Sequence, residues 1–150
     1  MATPFPFGSG NVLTAAELNA IGEAWTSYTP VFKVAGVTVA ATVSYAKYAQ
    51  VNKIVICNVR LVATAVGGAN GTLSISLPIA STTSDDMACI GTFAIKDINV
   101  GYYMGAAMNF TTTTVTGIGY GSGGDMGASQ PAMTIAVGDE IAFSVSYEVA

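Results

Sequence analysis

Hydrophobic and polar positions follow one period up to Trp25 and a different one after it. In the first stretch Leu18, Ile21 and Trp25 recur at i, i+3 and i+7, so they share one face of a helix. Thr14 and Glu17 have the spacing of a capping box, in which each side chain satisfies the other residue's free backbone N–H. Leu13 and Leu18 take the two positions of a hydrophobic staple. These signals predict a short helix with one apolar stripe. Ahead of it, Pro4-Phe5-Pro6-Phe7-Gly8 is incompatible with regular helix, because each proline restricts both itself and its predecessor. Residues 1–27 are therefore expected to form an extended N-terminal arm and a docking helix. Phe5, Phe7, Leu13, Leu18, Ile21 and Trp25 would be its contact residues.

From the boundary near Ser27 to Pro30 onward the period is two. Val37, Val39, Ala41, Val43 and Tyr45 alternate with Thr38, Ala40, Thr42 and Ser44. Leu73, Ile75 and Leu77 alternate with Thr72, Ser74 and Ser76. The clearest run is the last, with Ile141, Phe143, Val145, Tyr147 and Val149 set against Ala142, Ser144, Ser146 and Glu148. Turn-forming clusters separate the runs at Gly67 to Gly71, Ser81 to Asp86, Asn99 to Gly101, Gly117 to Gly127 and Gly138-Asp139. About eight short strands at this spacing predict an all-β fold: a single β-sandwich, jelly-roll-like, over residues 28–150.

One strand departs from simple alternation. Between Val51 and Thr64 the odd positions hold Val51, Val55, Cys57, Val59 and Leu61, while the even positions also present Ile54, Ile56 and Val62. A sandwich strand has only one core to face. The second apolar face is therefore expected to meet the arm or another subunit, with Ile54, Ile56 and Val62 as the interface.

Composition strengthens that expectation. The chain is 51% hydrophobic and only 9% charged, far below the roughly 25% charged share of ordinary soluble domains. Thr, Ser, Gly, Asn or Lys interrupts every apolar run, so no spanning helix is predicted. The opening Met1-Ala2-Thr3-Pro4 has neither the basic nor the apolar region of a signal peptide, which favours synthesis and retention in the cytoplasm until release. A formal net charge of -4, with Lys33, Lys47, Lys53, Arg60 and Lys96 scattered along the sequence, argues against nucleic-acid binding.

Candidate chemistry is sparse. The chain has no histidine, and so lacks the commonest general base and metal ligand. None of its serines or threonines has an evident activating base, and Thr111 to Thr116 is better explained as β-branched strand. Gly119-Tyr120-Gly121-Ser122-Gly123-Gly124 matches a phosphate-binding glycine pattern, but no helix signal follows. It is expected to be an exposed contact loop bearing Tyr120, Ser122 and Asp125. Asp85-Asp86 and Asp139-Glu140 are adjacent pairs whose members point opposite ways on an extended chain, so neither forms an acid/base dyad. Solvated turn residues are expected. Asp85, Asp86 and Asp125 together are the best calcium alternative, without EF-hand spacing. Cys57 and Cys89 lack metal-ligand spacing and are expected to be buried free thiols, a disulfide being the alternative. Tyr102, Tyr103, Phe110 and Tyr120 are expected in the core or an interface, with a glycan-stacking surface as the sharper alternative. Asn109-Phe110-Thr111 matches the glycosylation triplet, which has no meaning without secretion. No cofactor and no metal is expected.

Two stretches resemble a known group. Phe7-Gly8-Ser9-Gly10-Asn11-Val12-Leu13-Thr14-Ala15-Ala16-Glu17-Leu18-Asn19-Ala20-Ile21 resembles the opening of many tailed-phage virion proteins, among them tail-fibre, head-fibre and capsid-decoration proteins, where it implies an attachment segment. Trp25, Tyr28-Thr29-Pro30, Tyr45 with Tyr48, Val51-Asn52-Lys53 and Leu73-Ser74-Ile75-Ser76-Leu77-Pro78 resemble the β-sandwich module of phage fibres and capsid surfaces. The family form of that module carries glycine where this chain has Asn52. The resemblance implies a homotrimer in the virion. Chain length and the lack of repeats favour a capsid decoration or cement protein that binds the major capsid protein or another virion protein. A short tail or head fibre that binds a host receptor or glycan is the alternative. A glycan-cleaving enzyme has little support, since no carboxylate pair can be placed.

Overall fold

Alternation produces strands in this chain because each run offers one apolar face to a common core, and most of the runs are bounded by residues that tolerate turns. The computed structural model describes residues 25–68, 70–83, 88–119, 124–129 and 131–150. Among them are ten strands: β1 (Thr26–Ser27), β2 (Phe32–Val34), β3 (Val37–Thr38), β4 (Ala41–Val51), β5 (Ile54–Ala63), β6 (Leu73–Ser76), β7 (Cys89–Asp97), β8 (Gly101–Thr111), β9 (Thr114–Gly119) and β10 (Glu140–Glu148). No helix occurs among these residues, and the helix expected upstream of Trp25 lies outside them, as do Phe5, Phe7, Leu13, Leu18 and Ile21. Trp25 itself stands just ahead of β1, which pairs with β4 through Thr26 and Tyr48.

The strands pair antiparallel in one continuous series, β1-β4-β5-β10-β7-β8-β9-β6-β2-β3, rather than in the two separate sheets of a jelly roll. The sheet curls on itself. Its two edge strands are β1 and β3: β1 is joined to β2, the neighbour of β3, by residues 28–31 alone, and β3 runs into β4, the neighbour of β1, through residues 39–40. The Val39 N–H donates to the Phe32 carbonyl at 2.9 Å and the Thr64 N–H to the Ala40 carbonyl at 2.8 Å, so backbone pairing continues around this corner. Curling covers the apolar face of the sheet with the sheet itself, which is how these strands bury one core with no helix packed on them among the described residues.

Turn chemistry sets the register. Ala35 and Gly36 both have positive φ (49° and 80°), as a two-residue turn of the I′ type between β2 and β3 requires. Asn52 opens the β4–β5 turn at φ 54°, a left-handed conformation that glycine adopts freely and asparagine tolerates best among the rest. Between β7 and β8 the Asp97 carboxylate accepts from the Asn99 and Val100 N–H groups and fixes the bend.

The core consists of the inward positions: Val55, Cys57, Val59 and Leu61 on β5, Phe93 and Ile95 on β7, and Ile141, Phe143, Val145 and Tyr147 on β10 are all buried. Leu73, Ile75, Phe32 and Val34 face them from the other side of the curl. Tyr28 spans the interior, accepting from the Cys57 thiol at 3.4 Å and donating to the Ser76 carbonyl at 3.3 Å. Burial pushes the Cys57 thiol up to about 11, an effect that the hydrogen bond to Tyr28 partly offsets.

Several sequence expectations are corrected. A bulge between Val43 and Tyr45 breaks the apparent alternation of β4, so Tyr45 turns outward and Ala46 takes the buried position. Val51, grouped with the inward face of its run, is exposed at the hairpin. Thr111 to Thr116 is a hairpin rather than one strand, with Thr111 paired to Thr114. Both cysteines are free, but Cys89 is exposed.

Candidate functional site

The inward positions are consumed by the core, so chemistry has to be sought on the outer face of β4, β5, β10, β7 and β8. Register places its residues in rows. Tyr45, Arg60, Ala142, Ala94 and Met104 form one row, and Val62, Glu140, Lys96 and Tyr102 the next. Small side chains on β10 and β7 leave a shallow groove between the larger groups of β4–β5 and those of β8.

Charge converges on this groove although it is dispersed in the sequence. The Arg60 Nε donates to Glu140 Oε2 at 2.9 Å, with the Arg60 Nη2 on the same oxygen, and the Lys96 Nζ donates to Glu140 Oε1 at 3.0 Å. Arg60 first, then Lys96, holds the Glu140 carboxyl below the ordinary carboxylate range, and Glu140 in turn raises Lys96. Both tyrosines carry a lysine: Lys47 Nζ lies 5.6 Å from the Tyr45 ring centre and Lys96 Nζ 6.0 Å from that of Tyr102.

Toward the hairpin the outer face of β4 and β5 becomes apolar, with Ser146 and Glu148 of β10 beside it, opposite Ile56 and Ile54. Ile54 (44% exposed) and Ile56 (42%) stand at the hairpin end with Val51 (55%) nearby and Ala49 opposite Ile56. Of the three expected interface residues, the structure brings Ile54 and Ile56 together. Val62 is set apart, half-buried, beside Glu140.

The expected contact loop is only partly in view. Tyr120 and Ser122, like Asp85 and Asp86, lie outside the described residues. Asp125 is half-buried and not a loop tip: it accepts from the Thr72 hydroxyl at 2.9 Å, and the adjacent Met126 is fully buried under β9, its N–H donating to the Gly117 carbonyl. Gly105 and Gly117 allow that approach, since a Cβ at either would strike Met126. Asp139 is not a solvated turn residue. It is completely buried and accepts from the Ile98 and Ala136 N–H groups at 3.1 and 2.8 Å, tying the β7–β8 bend to the start of β10. Glu140 points to the groove instead, and as expected the pair forms no dyad. Asn109 is fully buried, so its triplet is no acceptor site.

The aromatic set separates likewise. Tyr102 is 78% exposed and Phe110 also outward, whereas Tyr103 packs against the core. Sequence reasoning missed Tyr45, Arg60, Glu140 and Lys96 as one site, because the pairing that unites them runs through β10, the last strand in the chain. No family model matches the chain, and neither a curated protein nor a solved structure matches it.

Proposed function

We propose that the protein is a structural subunit of a tailed-phage particle, a capsid decoration or cement protein that acts as a homotrimer bound to the shell. The carrying observation is the outer face at the β4–β5 hairpin, where Val51, Ile54 and Ile56 present a contiguous apolar surface in a chain of few charges. Such a surface is costly to leave in water and is covered when subunits associate. The resemblance of the opening segment and of the Tyr45–Pro78 region supports the particle assignment. The left-handed Asn52 fits it, because the related modules carry glycine at that turn. We read the curled sheet as a variant of their sandwich module.

In this reading the arm grips the major capsid protein or another virion protein, and three linked arms make each later attachment effectively intramolecular. The protein has no catalytic role, cofactor or metal, and works in the virion without nucleic acid or membrane. A density map of whole particles tests the assignment: copies at many capsid threefold positions support cement. Copies only at the tail or vertices would replace it with the fibre role, which the exposed Tyr45 and Tyr102 favour.

A further inference from the structure

The groove has features that the apolar hairpin surface lacks. Three of the chain's five cations, Lys47, Arg60 and Lys96, stand around it with one carboxylate, Glu140, so its rim is net positive on a chain of formal charge -4. Tyr45 and Tyr102 stand on opposite sides of it, four strand steps apart, or ~19 Å along the sheet at ~4.8 Å per step. Both rings are exposed, and the floor between them is made of Ala94, Ala142 and Ser144. A small molecule cannot touch both ends of such a trough. An extended polymer crossing the strands can.

We propose that this groove binds an acidic polysaccharide, a chain of sugar rings bearing intermittent carboxylates. The axial C–H groups of a pyranose ring carry partial positive charge and lie flat on the electron-rich face of a tyrosine, which suits Tyr45 and Tyr102. Arg60 and Lys96 meet the carboxylates, while Glu140, fixed between them and ionised, accepts from hydroxyl groups. Glu140 also sets the selectivity. A polyphosphate or DNA backbone offers it charge and no donor, whereas a saccharide offers a donor at nearly every ring. The groove runs across paired strands, so it offers an extended peptide no free strand edge for backbone pairing. This inference does not rest on the cement reading, and its failure leaves that reading untouched, whereas its success adds to the fibre alternative.

Titration calorimetry of the full-length protein with polygalacturonate fragments, dextran fragments and polyglutamate at low salt tests it. The expected result is binding of polygalacturonate about tenfold or more tighter than of either other polymer, weakening as salt is raised. Tyr102→Ala and Arg60→Ala should each weaken it severalfold, Tyr102→Ala without change in melting temperature. Saturation transfer from protein aromatic protons to the ring protons of polygalacturonate, read on the unmodified protein, should be seen and should fall in Tyr102→Ala. Equal binding of polyglutamate would reduce the groove to nonspecific charge attraction. Equal binding of dextran, no binding of polygalacturonate, or full affinity in Tyr102→Ala would each overturn the proposal.

Discussion

Strand β5 carries aliphatic side chains on both faces, yet the two faces meet opposite surroundings. Val55, Cys57, Val59 and Leu61 point into the curl and are sealed by β6 and β2 from the far side, while Ile54 and Ile56 point out into solvent. A side chain's own hydrophobicity does not decide its fate here. The curl buries one face whatever lies on the other, so the same kind of side chain ends in the core or in solvent according to its place in the alternation.

The contrast is broken most severely from the inside. Phe93→Ala, at a fully buried position packed on Gly117, should cost about 3–5 kcal/mol in folding free energy, read by urea denaturation. On the outer face Ile56→Asp should leave the unfolding of the single chain within about 0.5 kcal/mol, but raise the oligomer dissociation constant at least about tenfold, because it places an unpaired charge in the contact. Ser144→Asp, on the same face away from the hairpin, should change assembly far less in the same sedimentation assay.

Titration distinguishes the faces as well. The Cys57 thiol, raised to about 11 by burial, loses its proton more readily in the unfolded chain, whose thiols titrate near 8.5. Its contribution to stability is whole below that value and is lost as pH rises from there through about 11, so wild type should lose its margin over Cys57→Ala across that window. In native protein at pH 8 one thiol, Cys89, should react rapidly with a disulfide reagent, and two should react after denaturation. Glu140 gives the smallest effect, with opposite sign. Its depressed carboxyl stabilises above the ordinary carboxylate pKa, and that contribution disappears as acid protonates it below this value. Wild type and Glu140→Gln should therefore differ slightly in melting temperature at neutral pH, less in high salt, and converge in strong acid.

Much of the fold is legible in the sequence where alternation is uninterrupted. Ile141 to Val149 and Leu73 to Leu77 bury the positions their pattern marks, and the two-faced run from Val51 to Thr64 is visible without coordinates. What escapes is register. One extra residue in β4 between the partners of Leu61 and Arg60 turns Tyr45 outward, although Val43-Ser44-Tyr45 reads as unbroken alternation. The groove depends on the same information, since Arg60 and Lys96 meet only because Glu140 on β10 lies between their strands. Asp139 and Glu140 look alike as turn residues, and only the start of β10 sends one into the interior and the other to the rim.

The claim that the outer face is an assembly surface is tested most directly by the mass of the full-length protein at micromolar concentration, measured by sedimentation equilibrium beside Ile56→Asp. The account predicts the mass of three chains for the unmodified protein and a shift toward one chain for the variant. A single-chain mass for the unmodified protein would contradict it.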